Sequence, residues 1–517
     1  MSAISYALRH PAKPIVVFCI SMVFVFSISC KKDDASATGG SNSAPSSIDS
    51  SYTSGTAEGS SETGYNEDDL VKNSTFSSTI LIEYGTTVSI TNPLDGAGVA
   101  VAVSGNNVVI TSTVKEVSYT ISGTTVNGSL KIYSDNKFKL VLDNANITNN
   151  EGPAINIQSS KRVFVVLADQ SINTLADGSV YTASVNDEDM KAAFFSEGQL
   201  IFSGSGSLTV KGNYKHAICS DDYIRIISGN ITVSGAVKDG IHTNEAFIAD
   251  GGTLSIKAES DGIECEEGYI VINDGEMTLT TGDDGIVASY DEGEDASITP
   301  YVTINGGTIN VNSSAGEGIE SKSELTINNG NISVTTADDG LNAGTAIYIN
   351  GGNIYAYSTG NDAMDSNGIF TITGGKIVAV GARAPEASID CDARTLKITG
   401  GIVIGIAGAT SGPSASASTV PSVIMGSGSA GQLIHIETSD GTEALTFLAP
   451  ISYSTLIFAG SKLKQNTGYT VYTGGEVASG TTFYGLYTSG TYSGGTSVAI
   501  FTTNNMVTQL GGSISRG

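Results

Sequence analysis

Lys238-Asp239-Gly240-Ile241 opens the stretch of sequence that decides the fold, because variants of this motif return at nearly constant intervals. The later copies are Ser260-Asp261-Gly262-Ile263, Asp283-Asp284-Gly285-Ile286, Gly316-Glu317-Gly318-Ile319, Asp338-Asp339-Gly340-Leu341 and Asn361-Asp362-Ala363-Met364. Successive acids lie 22, 23, 33, 22 and 23 residues apart, and a ten-residue insertion from about Tyr290 to Thr299 accounts for the long step. Such a period indicates a repeat architecture rather than a single globular core.

Each copy contains three short β-rich runs separated by turns such as Asn328-Asn329-Gly330 and Asn350-Gly351-Gly352. Three strands and three turns in 22 to 23 residues predict one coil of a right-handed parallel β-helix. In that all-β fold each strand pairs with its copy one coil on, about 4.8 Å away. The residue two positions after the Ile is small in every copy, which predicts that Cys265 and Cys391 are packed interior thiols.

The chain divides into four regions by composition. Residues 1–29 are predicted to be a lipoprotein signal peptide, since basic residues precede an apolar run that ends in Ser27-Ile28-Ser29-Cys30. Cys30 would carry the lipid, and Lys31-Lys32-Asp33-Asp34 resembles the tag of outer-membrane lipoproteins exposed on the surface of Gram-negative cells. A plain cleaved secretory signal is the alternative. Residues 30–74 are predicted to be a flexible tether rich in Ser, Gly and acids, 75–421 the β-helix, and 422–517 a β-rich cap.

The charge balance favours cations as partners. The chain has 52 acidic and 25 basic residues and a net charge of −27, which excludes nucleic acid as a partner. Between Ala258 and Gly375 there are twenty acids, one lysine and no arginine. Acids stacked in register lie about 5 Å apart and repel by roughly 1 to 3 kcal/mol a pair. Salt bridges within the repeat therefore leave most of this charge without a counter-ion.

Two outward columns of the repeat are predicted to hold several Ca²⁺ ions, because carboxylate and amide oxygens without clustered His or Cys favour a hard cation. The most plausible cages combine Glu317 with Asp338, Asp339 and Asn342, then Asp339 with Asp362 and Asp365, and Asp261 with Asp283 and Asp284. The full set of candidate ligands also includes Asp239, Glu264 and Glu320. The alternative is that Asp-Gly is turn chemistry, with each Asp capping backbone N–H groups.

The repeat, together with Tyr119-Thr120-Ile121-Ser122-Gly123 and the tail around Gly468 to Gly475, resembles the carbohydrate-binding β-helix family of cellulose-degrading bacteria. That family is related to family nine polysaccharide (pectate) lyases. The resemblance implies calcium held between coils and binding of cellulose or acidic, pectin-like polysaccharide. No copy matches completely the lyases' Asp-Asp-x-x-Asp group, since Asp283-Asp284 is followed by Val287.

Three functions remain open from the sequence: a polysaccharide-binding surface protein, a calcium-dependent uronate lyase, and a structural or adhesive spike. Lys322 is the candidate base of a lyase, although neighbouring acids would raise its pKa and its alternative role is to neutralise Glu320. Tyr348, Tyr355 and Tyr357 are the candidate sugar-stacking residues, and packing is their alternative role. The histidines His216, His242 and His435 are scattered, and no triad, phosphate-binding or zinc motif is present.

Overall fold

Short strands and tight turns build a parallel β-solenoid in the computed structural model, which describes residues 43–184, 188–290 and 295–515. Each coil contributes one strand to each of three sheets, and strands of one sheet pair in parallel with their copies in the next coil. The prediction of an all-β parallel solenoid is confirmed. Among the described residues no helix is long and apolar enough to span a membrane.

The first sheet carries the repeated acids and has thirteen strands. They are Val99–Ser104, Asn107–Ser112, Ser129–Ser134, Ile155–Ile157, Ala192–Ser196, His216–Ser220, Ile241–Thr243, Ile263–Cys265, Ile286–Ala288, Ile319–Ser321, Leu341–Ala343, Met364–Ser366 and Asp390–Cys391.

The second sheet follows the first along each coil. Its strands are Val163–Leu167, Leu200–Gly204, Tyr223–Ile226, Ala246–Ala249, Tyr269–Ile272, Tyr301–Ile304, Glu324–Ile327, Ala346–Ile349, Ile369–Ile372 and Leu396–Ile398. The long strands Val117–Thr125 and Phe138–Thr148 and the opening pair Ser78–Tyr84 and Ser89–Thr91 precede them.

The third sheet completes each coil. Its strands are Ile172–Ala176, Ser207–Gly212, Asn230–Ala236, Thr253–Lys257, Glu276–Thr281, Thr308–Ser313, Asn331–Thr336, Asn353–Ser358, Lys376–Val380 and Ile402–Ala407. The turn from the second to the third sheet needs a left-handed residue. At Gly352, with φ of 88°, a Cβ atom would lie 2.7 Å from the carbonyl oxygen of Gly330, so only glycine fits there.

The core lies inside the coils and consists of columns of identical or similar side chains. Ile241, Ile263, Ile286 and Ile319 are in register and fully buried. The small-residue column is also buried, and the thiols of Cys265 and Cys391 are free and interior, as predicted. Each added coil buries apolar side chains against the one before it, which is how a solenoid gains stability.

The cap covers the last coil with a second set of strands. A seven-stranded sheet contains Ser46–Asp49, Leu433–Thr438, Glu443–Leu448, Gly468–Thr473, Glu476–Phe483, Leu486–Ser493 and Thr496–Thr502. The strands Ser422–Met425, Thr455–Gly460 and Val507–Gln509 extend the third sheet, where Thr455–Gly460 pairs antiparallel with Ile402–Ala407.

Residues 50–74 form a strap that lies along the solenoid beside the second sheet, and this differs from the predicted flexible tether. Asn273, Asn305, Asn328 and Asn350 form a ladder in which each amide donates to the strap, for example from Asn350 to the carbonyl of Glu58 at 2.8 Å. Two 3₁₀ helices, Glu67–Asp69 and Val71–Asn73, end the strap.

Buried Asp69 anchors this end of the strap, since it contacts Arg162 at 2.9 Å, Arg225 at 3.3 Å and the hydroxyl of Tyr223 at 2.6 Å. The tether prediction is therefore wrong for residues 43–74, because asparagine side chains of the solenoid bind backbone carbonyls of a segment that has the composition of a linker. The predicted signal peptide and Cys30 lie outside the described residues.

Candidate functional site

The acid corner is the turn between the third and first sheets, together with the middle residues of the first-sheet strands. Two residues before each strand stand the corner carboxylates Asp239, Asp261, Asp284, Glu317, Asp339 and Asp362. The middle position of the strand holds His242, Glu264, Val287, Glu320, Asn342, Asp365 and Asp390, which pair in register from coil to coil.

The corner carboxylates are more deeply buried than side chains on the outer surface of a solenoid are expected to be. Asp239 is fully buried, and Asp339 and Asp362 retain 5% and 8% exposure. One carboxylate oxygen of each corner aspartate accepts a hydrogen bond from the backbone one coil on, as from the N–H of Asp284 to Asp261 at 2.9 Å and of Asp362 to Asp339 at 3.0 Å. Capping of backbone N–H groups therefore does occur, and it leaves the second carboxylate oxygen for another partner.

Carboxylate oxygens meet within 4.8 Å of one another in four places along the acid corner. The groups are Asp239, Asp261 and Glu264; Asp261, Asp283 and Asp284; Asp284, Glu317 and Glu320; and Asp362, Asp365 and Asp390. Burial and the neighbouring acids Asp390 and Asp392 raise the pKa of Asp365 to about 6. Burial, with Asp365 and Asp362, likewise raises the pKa of Asp339 to about 8. Raised pKa values of this kind mean that the carboxylates are destabilised when charged, and a bound metal would relieve that destabilisation.

The predicted cages are only partly assembled. Asp261, Asp283 and Asp284 come together as predicted. The cage of Glu317 with Asp338 and Asp339 does not form among the described residues, because the Asp338 carboxylate accepts a hydrogen bond from Asn361 at 2.6 Å.

Glu317 instead joins the previous coil, where Asp284 accepts its N–H, and Asn342 reaches it at 3.4 Å. Asp362 and Asp365 join Asp390 rather than Asp339. Asp390 was missed by the sequence prediction, although its position in a late coil puts it directly after Asp365 in the column.

Lys322 lies beside the group of Asp284, Glu317 and Glu320. Its ammonium contacts the Glu320 carboxylate at 2.5 Å. Burial alone would lower the pKa of Lys322, but the hydrogen bond to Glu320 and the charges of Glu317 and Asp284 outweigh it, and the pKa is raised. A protonated lysine neutralises acids and is a poor general base.

His216 and His242, which the sequence analysis described as scattered, lie together at the start of the acid corner. His216 occupies the corner position one coil before Asp239. Aligning Lys215-His216-Ala217-Ile218 with Lys238-Asp239-Gly240-Ile241 in the sequence would have shown this position. The rings of His216 and His242 stack with centroids 4.2 Å apart. Nδ1 of His242 lies 3.2 Å from Asp239 and 3.0 Å from Glu264.

The three predicted sugar-stacking tyrosines do not form one patch. Tyr348 belongs to the second sheet. Its ring packs so closely under Gly59 of the strap that a Cβ atom added to this glycine would lie 2.5 Å from Cδ2 of the ring. Tyr355 belongs to the third sheet and stacks on Tyr484 of the cap at 3.7 Å between centroids. The strap and the cap, which the repeat pattern does not show, leave Tyr348 and Tyr355 half-buried on different sheets, and sugar stacking by the three tyrosines stays a prediction.

Two grooves flank the acid corner. The end cleft has a volume of about 920 Å³ and lies between the last coils and the cap, where Tyr357, Arg383, Glu386, Ile451 and Tyr453 line it. The upstream groove, of about 490 Å³, lies along earlier coils and is lined in part by Lys211, Lys257 and Glu259. Both contain a basic side chain next to a corner that is otherwise acidic.

The donor set of the acid corner fits calcium. Carboxylate oxygens supply the ligands in three of the four groups without any imidazole or thiolate nearby, as a hard cation requires. Oδ1 of Asp365 is buried and has no hydrogen-bond partner. A buried oxygen of this kind is stabilised by a bound cation.

A model of the family described as carbohydrate-binding domain-containing proteins matches residues 104–363 and 298–442. A curated carbohydrate-binding domain-containing protein of Acetivibrio thermocellus is 36% identical over 135 residues, which are 26% of this chain and 46% of that protein. The chain thus spans about half the length of this relative. A solved structure, described as a polysaccharide lyase-like protein from C. thermocellum in a gadolinium derivative, matches with a TM-score of 0.38 and 29% identity over 48% of this chain and 96% of that one.

Proposed function

Since this chain belongs to the family of carbohydrate-binding domain-containing proteins, we propose that it is a cell-surface lipoprotein that binds an acidic polysaccharide through calcium ions along the acid corner. The observation that carries the proposal is the series of partly buried carboxylate groups, in which acids outnumber the lysines that pair with them. Lys322 pairs with Glu320, and Lys238 pairs with Asp239 and Glu264.

Three groups are proposed as calcium sites. Asp261, Asp283 and Asp284 form one, Glu317 and Glu320 with Asp284 form the next, and Asp362, Asp365 and Asp390 form the third. The first two share Asp284, so the occupancy of one affects the other. Three carboxylates fill fewer than the six to eight ligand positions that calcium takes, and this leaves room for oxygens of a ligand.

An acidic glycan suits these sites better than a neutral one. A uronate carboxylate supplies the missing oxygen ligands and balances the positive charge of the bound ion. The end cleft adds Arg383 for a second carboxylate and Tyr357 and Tyr453 for the face of a sugar ring. Cellulose requires a flat row of exposed aromatic rings, and two of the three candidate tyrosines are half-buried against the strap and the cap.

Affinity electrophoresis in gels containing polygalacturonate tests the proposal. Retardation of the protein in calcium, and its loss in a chelator, is the expected result. Arg383→Ala should weaken the retardation several-fold, while the matched control Lys464→Ala, which removes an exposed charge on the cap, should not. Equal mobility with and without polygalacturonate in saturating calcium would reject polysaccharide binding. A chelator-resistant retardation would reject the role of calcium.

The same samples separate binding from lyase activity. Ultraviolet absorbance of unsaturated product, followed with polygalacturonate and calcium, should stay at the level of the protein-free control because Lys322 is held protonated. Product that appears with the wild type and disappears in Lys322→Ala would replace the binding proposal with a lyase.

A further inference from the structure

The start of the acid corner differs chemically from the rest of it. His216, Asp239 and His242 each place a ligand atom within 4.8 Å of the others, and all three are buried. They come from two successive coils, and Glu264 from the third coil adds a carboxylate beside His242. Two imidazoles with carboxylates make a donor set of nitrogen and oxygen, which suits a borderline transition metal rather than calcium.

His216 gives an independent sign that a ligand is expected here. Its side chain is completely buried, and neither ring nitrogen has a hydrogen-bond partner. Nδ1 nevertheless points into the group, 2.9 Å from Oδ2 of Asp239. Buried polar atoms are nearly always paired, so an unpaired imidazole directed at a carboxylate and a second imidazole matches the environment of a metal ligand.

The distances between donors match a small tetrahedral ion. Asp239 Oδ2 lies 2.9 Å from Nδ1 of His216 and 3.2 Å from Nδ1 of His242, which lies 3.0 Å from Oε2 of Glu264. Zinc bonds of about 2.0 to 2.1 Å to nitrogen and oxygen place neighbouring ligands of a tetrahedron about 3.3 Å apart. For these three pairs the donors need to move by only a few tenths of an ångström, whereas the Glu264 carboxylate, which lies outside the group of His216, Asp239 and His242, would have to turn towards the ion.

We propose that His216, Asp239 and His242, with Glu264 as fourth ligand, form a site for a divalent transition metal of the zinc class. The ion would bridge successive coils at the point where the calcium-type groups begin. Lys238 lies 3.5 Å from Asp239, but its side chain is 45% exposed and can turn into solvent when the ion binds. Glu266, 3.2 Å from Nε2 of His242, accepts the remaining ring proton and orients the imidazole.

Cobalt titration of the full-length, chelator-treated protein tests this site while saturating calcium keeps the all-oxygen groups filled. Co²⁺ bound by nitrogen and oxygen in a tetrahedron gives intense visible ligand-field bands, and equimolar Zn²⁺ should abolish them. His216→Asn should weaken cobalt affinity at least tenfold. His435→Asn, at a buried histidine of the cap, is the matched control and should leave the bands unchanged.

The bands would overturn the proposal if they were absent in the wild type or persisted unchanged in His216→Asn. X-ray absorption of the zinc-loaded wild type gives a second measurement that does not depend on a variant folding. Two imidazoles in the first coordination shell support the site, and a shell of oxygen alone contradicts it.

Discussion

Replacing Asp365 with asparagine should raise stability in the absence of calcium and reduce the stabilisation that calcium adds. Its carboxylate lies within 4.8 Å of carboxylate oxygens of Asp362 and Asp390. Two like charges at that distance repel by roughly 1 to 3 kcal/mol for effective dielectric constants between 80 and 20. Asn keeps the shape of the side chain and removes its charge, and Oδ1 has no hydrogen bond to lose. In a chelator the free energy of unfolding should therefore rise by about 1 to 3 kcal/mol.

In calcium the same substitution removes a charged ligand. Calcium at about 100 times its Kd stabilises a protein by about 2.7 kcal/mol, and a tenfold weaker site reduces this to about 1.4 kcal/mol. With an unfolding entropy of about 2.1 cal/mol/K per residue, a change of 1 kcal/mol in the free energy of unfolding shifts the melting temperature of a chain of this size by roughly 1 °C. Differential scanning calorimetry in chelator and in calcium resolves such shifts.

The control for this prediction is Asp135→Asn, which changes an exposed acid of an early coil that belongs to none of the carboxylate groups. Its response to calcium should equal that of the wild type. The reasoning is refuted if Asp365→Asn melts lower than the wild type in chelator, or if its gain in melting temperature on adding calcium is undiminished.

Three further predictions concern other parts of the chain. Asp69→Ala leaves two arginines at the end of the strap without their buried partner, so the free energy of unfolding should fall by about 3 to 5 kcal/mol and hydrogen exchange of residues 50–74 should accelerate. Asp68→Ala, at an exposed acid, is the control, and equal exchange rates in the two variants would contradict the anchoring role. Lys322→Ala should leave calcium-dependent polysaccharide retention within about twofold, measured by affinity electrophoresis, because a surface ion pair contributes little; a complete loss would show that Lys322 contacts the glycan. Cys30→Ser should abolish incorporation of labelled fatty acid in cells and release the protein from the membrane fraction, and labelling that persists would reject the lipoprotein prediction.

The repeat was readable from the sequence because the same physical demand recurs in every coil. Ile241, Ile263 and Ile286 fill the same interior position, and the glycine before each of them allows a close turn, so period and strand positions follow from spacing alone. The interior thiols of Cys265 and Cys391 followed from the same alignment. Local chemistry repeated in register makes a parallel solenoid predictable.

The remainder depended on contacts between parts of the chain that are distant in sequence. The strap has the composition of a linker, and it is ordered by side chains such as Asn350, which lies 292 residues from Glu58. Composition cannot show that such partners exist. Tyr355 meets Tyr484 across the boundary between solenoid and cap for the same reason.

Within the acid corner, the sequence identified the ligand types but not which coils combine. Each corner carboxylate reaches one coil further along, and competing hydrogen bonds decide its partners, as Asn361 does for Asp338. This redistribution moved Glu317 towards Asp284 and brought Asp390 into the last group.

A calorimetric calcium titration of the chelator-treated protein tests the central claim most directly. Three carboxylate groups, two of which share Asp284, predict that more than one Ca²⁺ binds per chain, that an excess of Mg²⁺ competes weakly, and that Asp365→Asn reduces the number or affinity of the sites. Absence of binding heat in the wild type, together with a melting temperature that does not respond to calcium, would contradict the account.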